Sequence, residues 1–375
     1  MPDIASIFPP AAAASAGGSP WPILAPEQAG FDPEALAEAI AFAAAHETPW
    51  PRDLRVLMER GHFDPAPFNQ PIGPVHPRGP TNGLVLRRGY RVASWGETRQ
   101  VDQTFSVAKS YLSLLAGLAW GDGLIRDLDE PVSRTVHDAA FEGPRNGAVT
   151  WRHLLTLTSE WEGELFGKSE RIDRGRNVGA EGKKNFDRPL KAPGEHWEYN
   201  DVRVNALGLA LLHRFGRPLP EVFAERIMGP IGASSDWRWE GYETSWVTLP
   251  DGRRVQSVPG GTHWGGGVSI HAEDQARIGL LALHRGRWDG RQLVPAAWFD
   301  LATTPCPLNR SYGFLWWLNA AGRYPSAALD TFCASGAGGN LTWIEPSSGL
   351  VVVTRWLDPA AHDGFMRRLR AALRS

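Results

Sequence analysis

Phe105-Ser106-Val107-Ala108-Lys109-Ser110 opens a strongly apolar segment over residues 104–118, which is followed by Gly121-Asp122-Gly123. The apolar run predicts a buried helix, and the two glycines predict its end. Ser106 and Lys109 are three positions apart, so both side chains lie on one face of that helix. This is the one Ser-x-x-Lys in a sequence that contains only five lysines.

A serine hydroxyl becomes an effective nucleophile when a neighbouring group takes its proton. The positive field of the helix N-terminus would favour the developing alkoxide of Ser106. Burial in an apolar site would lower the proton affinity of Lys109, which makes Lys109 one candidate for the acceptor. The alternative is an ordinary helix that carries an exposed lysine. The spacing thus makes Ser106 and Lys109 candidate catalytic residues.

A second motif, Glu198-Tyr199-Asn200-Asp201, precedes a helix predicted over residues 202–215. Tyr199 is a candidate general base, because a neighbouring ammonium such as Lys109 would favour the phenolate. Asp201 is a candidate to hold Lys109 by charge and hydrogen bond. The alternative is a packed tyrosine followed by Asp201 as a helix cap.

A third motif, Ala334-Ser335-Gly336-Ala337-Gly338-Gly339, precedes a strand predicted over residues 341–344. Glycine lets the backbone of a strand come close to a ligand. The N–H of Ala337 would then form an oxyanion hole together with the N–H of Ser106. Ser335 is expected to hydrogen-bond Lys109 or the substrate, with Gly336 beside it in the site. The alternative is a glycine-rich turn into a hairpin.

In this order the three motifs resemble those of the serine β-lactamase and penicillin-binding-protein superfamily, which has Ser-x-x-Lys, then Tyr-x-Asn or Ser-x-Asn, then Lys-Thr-Gly on a strand. Leu154-Leu155-Thr156-Leu157-Thr158-Ser159, and Gly265-Gly266-Gly267-Val268 with Asp274 and Arg277, are similar to further segments of that family. The resemblance runs from about residue 29 to the C-terminus. It is greatest to class C β-lactamases, their esterase relatives and the 6-aminohexanoate-dimer (nylon oligomer) hydrolases.

Two positions depart from the family pattern. Residue 201 is Asp where β-lactamases carry Asn, and residue 334 is Ala where they carry Lys, or His in some hydrolases. That basic residue helps to seat the substrate carboxylate, so Ala334 favours an ester or amide substrate over a β-lactam. The sequence also lacks the Glu-x-x-Leu-Asn of class A enzymes, so we expect Tyr199 rather than a separate Glu to activate water.

The resemblance implies an α+β fold of the β-lactamase/transpeptidase type. In this fold an antiparallel sheet flanked by helices joins a mostly helical subdomain, and the active site lies between them. We expect a loose leader over residues 1–28, a sheet domain over residues 29–104 and 260–375, and a helical subdomain over residues 105–259. The local patterns predict helices over 32–45, 151–157, 273–284 and 363–373, hairpins over 83–97 and 341–356, and a strand over 314–317.

Three tryptophans that flank the motifs, Trp161, Trp197 and Trp264, are candidates to line an apolar acyl pocket. Residues 162–190 are rich in charge and glycine and show no periodicity. They predict a mobile flap over the cleft, with a solvated surface loop as the alternative.

Three histidines, His153, His196 and His263, lack metal-ligand spacing and are expected to serve packing or surface roles. Cys306 and Cys333 are widely spaced, so they predict neither a disulfide framework nor a zinc site. We therefore expect no metal and no cofactor.

The overall composition argues against several kinds of partner. A net charge of -2 provides no attraction to nucleic acid or to an anionic membrane. No apolar run approaches the roughly 20 residues that a membrane span needs. The N-terminus lacks the basic region of a signal peptide, so a cytoplasmic location is expected. The expected partner is a small-molecule ester or amide, and the expected assembly is a monomer or homodimer.

The sequence thus predicts a serine hydrolase that forms an acyl-enzyme on Ser106, with Lys109 and Tyr199 as the general base system. The alternative is a non-catalytic relative that binds a ligand or peptide, which the intact Ser106, Lys109 and Tyr199 argue against. The Gly-x-Ser-x-Gly, His-Glu-x-x-His and Walker motifs of other enzyme classes are absent from the sequence.

Overall fold

The computed structural model describes residues 6–9, 20–176 and 184–374. Its α-helices are α1 (Pro33–Ala45), α2 (Leu54–Glu59), α3 (Val107–Gly121), α4 (Gly143–Asn146), α5 (Trp151–Leu155), α6 (Asp201–Phe215), α7 (Leu219–Phe223), α8 (Ala272–Leu283), α9 (Ala296–Ala302) and α10 (His362–Ala372). Short 3₁₀ turns occur at Val132–Arg134, Ala139–Phe141, Glu170–Asp173 and Pro359–Ala361. Within the described ranges, none of these helices is long and apolar enough to span a bilayer.

The strands are β1 (Asn82–Arg87), β2 (Tyr90–Trp95), β3 (Asp102–Gln103), β4 (Glu164–Leu165), β5 (Lys168–Ser169), β6 (Arg238–Glu240), β7 (Trp246–Thr248), β8 (Arg254–Gln256), β9 (Gly267–Ile270), β10 (Arg287–Trp288), β11 (Arg291–Gln292), β12 (Trp317–Leu318), β13 (Phe332–Gly336), β14 (Asn340–Glu345) and β15 (Leu350–Arg355). Six of them form one antiparallel sheet in the order β12-β13-β14-β15-β1-β2. The pairing of β1 with β15, which sets Val85 opposite Val352, joins two distant parts of the chain.

Every residue of β1, β14 and β15 is buried. Because successive side chains of a strand point to opposite faces, both faces of the sheet must be covered. Helices α3 and α8 pack against β14, while α1 and α10 pack on each other at the β2 end. Gly279 on α8 sets the approach distance, since a Cβ there would lie 2.6 Å from Val351 Cγ1.

The predicted α+β class is confirmed, and so are the helices predicted from local patterns. At α1, for example, the Asp32 carboxylate accepts hydrogen bonds from the N–H groups of Glu34 and Ala35, with Pro33 at the first helical position. Helix α3 contacts β13 on one side and α6 on the other. Its N-terminus therefore lies between the main sheet and the helical part of the chain.

Two details of the C-terminal strands differ from the sequence prediction. The strand predicted over residues 314–317 is reduced to β12, because Leu315 has a positive φ of 61° and turns the chain out of extended geometry. Conversely, residues 332–336 form strand β13 although Ala334, Ser335 and Gly336 have low strand propensity. Their pairing with β14 outweighs that local preference.

The expectation of a loose leader over residues 1–28 is wrong for the described part. The Trp21 side chain is only 5% exposed and lies under the guanidinium of Arg277. Backbone hydrogen bonds join Leu24 N to Arg91 O and Arg91 N to Pro22 O at strand β2. This segment is held in place because the Trp21 ring is buried and the backbone pairs with β2. The alanine-rich composition of the leader did not indicate either contact. Residues 1–5 and 10–19 lie outside the described residues.

We expect Trp21→Ala to lower the free energy of unfolding by about 3 kcal/mol, the low end of the range for removing a buried tryptophan. The matched control is Ile23→Ala two residues later, because the Ile23 side chain is 68% exposed. Urea unfolding followed by circular dichroism measures both. Equal midpoints for the two variants would show that the segment does not contribute to the core.

Candidate active site

Ser106 is the N-cap residue of α3, and Lys109 follows one turn later on the same face. Lys109 Nζ lies 2.9 Å from Ser106 Oγ. The preceding Phe105 has a positive φ of 54°, which a bulky residue rarely adopts. The Phe105 ring is held edge-on by Trp50 and Trp356. Aromatic packing therefore maintains the strained turn that presents Ser106.

The Lys109 ammonium is buried and has three acceptors. Besides Ser106 Oγ, it contacts Asp201 Oδ1 and donates to the carbonyl of Gly260 at 3.3 Å. Burial alone would lower the pKa of Lys109, but the attraction of Asp201 outweighs it and raises this pKa. Lys109 is therefore an ammonium that donates to Ser106 Oγ. Lys109 was a candidate proton acceptor only if its surroundings were apolar. The contact with Asp201 shows that they are not.

Asp201 reaches Lys109 because another residue caps the helix. The N-cap of α6 is Asn200, whose side chain accepts from Arg203 N. The alternative prediction of Asp201 as the cap is wrong. Asp201 instead uses Oδ1 for Lys109, while Oδ2 accepts from Arg176 Nη1 at 3.0 Å and contacts His263 Nδ1 at 2.8 Å.

Tyr199 lies beside two cations. Lys109 Nζ is 4.8 Å from the centre of the Tyr199 ring, and Arg176 Cζ is 5.3 Å from it. The ring stacks on Trp317 at 5.7 Å and meets Tyr312 edge-on. The sequence indicated Lys109 as the cationic partner of Tyr199, and the structure adds Arg176.

The end of strand β13 lies against the turn that carries Ser106. A Cβ on Gly336 would be 2.0 Å from Thr104 O and 3.1 Å from Ser106 N, so only glycine permits this approach. Ser335, Gly336 and Ala337 are all half-buried along this edge. Ser335 was expected to hydrogen-bond Lys109 or the substrate. The Lys109 ammonium already has Ser106, Asp201 and Gly260 as acceptors, and Ser335 lies near the Tyr324 phenol, so the substrate remains the predicted partner.

Two glycines close the other side of the site. A Cβ on Gly260 would lie 2.4 Å from Val204 Cγ1, and a Cβ on Gly261 would lie 3.2 Å from Lys109 Nζ and 3.6 Å from Ser106 Oγ. A side chain at either position would press on the pair. The nearby run Gly265–Gly267 was predicted to matter from the sequence, whereas Gly260 and Gly261 were not.

Behind Asp201 lies a buried cluster of charges. His263 Nε2 is 2.7 Å from Asp64 Oδ2, an ion-pair contact that is not aligned as a hydrogen bond. Lys184 contacts both Asp64 and Asp173, and Asp173 Oδ2 accepts from Asp201 N at 2.8 Å. The positive neighbours hold the pKa of Asp64 below its ordinary value despite burial, which acts in the opposite direction.

Asp64, Asp173 and His263 bring ligand atoms within 4.8 Å of one another, as a metal site would. The Lys184 ammonium, however, contacts both carboxylates, at 2.7 Å in the case of Asp173. A protein cation thus already neutralises this group. His263, which was expected to have a packing or surface role, is buried and stacks on Trp264, and it also contacts the carboxylates of this cluster.

A second ionic network fixes the segment that follows α5. Arg203 on α6 lies 2.7 Å from Glu160 and 3.0 Å from Glu170, and Arg188 bridges Glu160 and Glu198. The three carboxylates are all nearly inaccessible to solvent. The prediction of an unpacked flap over residues 162–190 is therefore wrong for the described residues, which include β4, β5 and a 3₁₀ turn. Residues 177–183 lie outside the described residues.

The expected tryptophan-lined pocket is not formed by Trp161 and Trp264. Both side chains are 1% exposed, and their indole N–H groups donate to Ala140 O and to Asp64 Oδ2. They are core residues that support the two ionic networks. Trp197 is half-buried and meets Tyr312 and Trp317 edge-on.

Much of the chain is similar to known proteins. The model of the beta-lactamase family matches residues 81–372. An uncharacterized protein of Alkalihalophilus pseudofirmus is 24% identical over 284 residues, which cover 69% of this chain and 74% of that protein.

Solved structures of similar fold include hydrolases. A Bacillus anthracis protein assigned as a 6-aminohexanoate-dimer hydrolase has a TM-score of 0.58 at 16% identity, over 95% of this chain and 87% of that chain. EstCE1, a hydrolase with promiscuous acyltransferase activity, has a TM-score of 0.56 at 16% identity, over 91% and 99%. A β-lactamase from Mycobacterium bovis has a TM-score of 0.53 at 19% identity, over 78% and 93%. At these identities the likeness concerns the fold.

Proposed function

The chain belongs to the beta-lactamase family, within the serine β-lactamase and penicillin-binding-protein superfamily, and from this membership we propose that it is a serine hydrolase that cleaves an ester or amide through an acyl-enzyme on Ser106. The observation that carries the proposal is the 2.9 Å contact between Lys109 Nζ and Ser106 Oγ at the N-terminus of a buried helix. A nucleophile, a neighbouring cation and a candidate base then share one site.

In the acylation step Ser106 Oγ attacks the carbonyl carbon, and Tyr199 takes the Ser106 proton. Lys109 Nζ and Arg176 Cζ lie 4.8 Å and 5.3 Å from the centre of the Tyr199 ring, so two cations stand beside the proposed base. The N–H groups of Ser106 and Ala337 stabilise the oxyanion. Tyr199 then returns the proton to the leaving alcohol or amine.

In the deacylation step Tyr199 removes a proton from water, which attacks the acyl carbonyl. Ser106 Oγ departs and recovers the proton from Tyr199, which releases the carboxylic acid and restores the enzyme. Lys109 remains an ammonium throughout, because Asp201 stabilises its charge. Its role is to donate to Ser106 Oγ and to favour the negative charge on the two reacting oxygens.

The acyl substrate is proposed to be an ester or a linear amide rather than a β-lactam. Position 334, where related enzymes carry a cation for the substrate carboxylate, holds an alanine that is 1% exposed. The neighbouring cation Arg176 is already paired with Asp201 and Asp173. Neither residue therefore provides a cation in that role.

The decisive test is Ser106→Ala. This variant should lose both covalent labelling by a fluorophosphonate and hydrolysis of p-nitrophenyl esters, while its circular dichroism and unfolding midpoint stay unchanged. Ser235→Ala, at an exposed serine, serves as the matched control. Undiminished ester hydrolysis by Ser106→Ala would refute the assignment. A wild-type protein that binds esters without turning them over would identify a non-catalytic relative instead.

Substrate preference is measured by comparing kcat/KM for p-nitrophenyl butyrate with kcat/KM for nitrocefin. We expect the ester to be strongly preferred, because Ala334 carries no charge at the position where related enzymes carry a cation. Comparable values would contradict this expectation. Arg323, exposed over the ring of Trp317, would then be tested as the substitute cation through Arg323→Gln.

Tyr199→Phe removes the proposed base while leaving the ring stacked on Trp317. We expect kcat to fall by about 10²- to 10⁴-fold, the usual contribution of a general base. Lys109→Ala should be similarly damaging, and the double variant little worse than either single one, because the two residues act as a unit. Tyr90→Phe on strand β2 is the control. A Tyr199→Phe enzyme within about threefold of wild type, far short of that general-base range, would mean that another group is the base.

A further inference from the structure

His263 is held between two carboxylates and two aromatic rings. Its Nδ1 lies 2.8 Å from Asp201 Oδ2, and its Nε2 lies 2.7 Å from Asp64 Oδ2. The imidazole stacks on Trp264 with ring centres 4.4 Å apart, and Phe63 meets it at 5.0 Å. The His263 side chain is buried, and the two rings restrict its rotation away from the carboxylates.

The two carboxylate contacts favour one protonation state of this imidazole. An ionised carboxylate oxygen only accepts hydrogen bonds, whereas a neutral imidazole has one N–H and one lone pair. In a neutral His263 one nitrogen would therefore lie less than 3 Å from a carboxylate oxygen without carrying a proton. Protons on both nitrogens make both contacts attractive, the one to Asp201 as a hydrogen bond and the one to Asp64 as an ion pair, so the arrangement favours an imidazolium.

The surrounding charges agree with this protonation. The groups that face His263 or its ring neighbour Trp264 are Asp64, Asp173, Asp201, Arg176, Lys184 and Lys168. Burial alone would lower the pKa of His263, but the nearby Asp64 and Asp173 raise it. Lys109, Arg176 and Lys184 balance the three carboxylates, so the imidazolium adds to the positive charge that Lys168 brings beside Trp264.

We propose that His263 is a positioning residue whose imidazolium orients Asp201, so that Asp201 holds Lys109 against Ser106. This inference rests on the proposed function. Asp201 Oδ1 contacts Lys109 Nζ, and Asp201 Oδ2 accepts from Arg176 and His263. The extra positive charge supplied by His263 compensates the phenolate of Tyr199 when that residue acts as the base.

The same arrangement accounts for aspartate at position 201. An asparagine has one accepting oxygen and one donating NH₂ group. Whichever way its amide turned, the NH₂ would face either Lys109 or the pair formed by Arg176 and His263. A cationic His263 and an aspartate at 201 therefore depend on each other. Asp201→Asn should be as damaging as loss of His263, although it restores the residue that β-lactamases carry.

The first experiment compares His263→Asn, Asp64→Asn and the control His137→Asn, which changes an exposed histidine. For His263→Asn we expect kcat on a p-nitrophenyl ester to fall by about 10²-fold with little change in KM, as for a misplaced catalytic group. The rate of fluorophosphonate labelling should fall in parallel. Activity close to that of the control would overturn the proposal.

The pH profile separates positioning from mere structural support. The variant Asp64→Asn removes a negative charge beside Nε2, so the pKa of His263 should fall and the alkaline decline of kcat should move to lower pH. In a His263→Asn background the same Asp64 change should leave that decline where it was. A loss of stability in Asp64→Asn without any movement of the pH profile would refute the positioning role.

A direct measurement does not depend on catalysis. Nitrogen-15 NMR of the whole protein, with His263→Asn for assignment, should show both ring nitrogens of His263 protonated at pH 7, and also in Ser106→Ala. A neutral His263 in an active enzyme would overturn this inference and leave the proposed function intact. A wild-type protein that never acylates at Ser106 would instead refute the proposed function, and with it any catalytic role for His263.

Stability should change with pH in the same sense. The pKa of His263 is raised above the value near 6.5 that histidine has when unfolded. Its contribution to stability is therefore complete below about pH 6.5 and is lost as the pH rises through the folded-state pKa. His263→Asn should lack this dependence in urea unfolding at a series of pH values. Identical pH dependence in both proteins would contradict a cationic His263.

Discussion

The contact between the buried Lys109 ammonium and Asp201 is the interaction on which the rest of the site depends. An ammonium in a closed interior is unstable without a compensating charge, and a carboxylate brought in to compensate it needs partners of its own. Asn200 takes over the helix cap, which leaves Asp201 free to turn towards Lys109. Arg176 and His263 then occupy the second oxygen, and Asp64, Asp173 and Lys184 complete the neutralisation further from Ser106.

Sequence patterns predicted those parts of the molecule that depend on near neighbours. The apolar periodicity of α3 and α6 and the hairpin of β1 with β2 can be derived within a window of a few residues. The motifs around Ser106, Tyr199 and Gly336 were likewise recognisable, and the structure brings them together. His263 and Asp64 were not predicted as a pair, because they come from distant parts of the chain and no local spacing links them. Strand β13 was missed because small residues carry no strand signal of their own, and tertiary pairing decided their conformation.

The charged segment that follows α5 shows how composition can mislead. A run rich in Arg, Asp and Glu is typical of a solvated surface. A prediction from composition alone does not consider whether the opposite charges form ion pairs in the fold. Here Glu160, Glu170 and Glu198 converge on Arg203 and Arg188, and all three carboxylates are withdrawn from solvent. These ion pairs offset the cost of removing the carboxylates from water, so the segment packs onto α6. The number of charged residues in a segment does not tell which of them form ion pairs in the folded protein.

The pairing of β1 with β15 has a consequence for how the polypeptide reaches its native state. Arg355 at the end of β15 is fully enclosed and donates to the carbonyls of Asp102, Gln103 and Ile270, and the next residue, Trp356, donates to the Asp102 carboxylate. The floor beneath the nucleophile turn is therefore made by residues about 250 positions further along the chain. Contacts of such long sequence separation close slowly. Until they form, one edge of β1 lacks its partner β15, and an unpaired strand edge exposes a folding chain to aggregation.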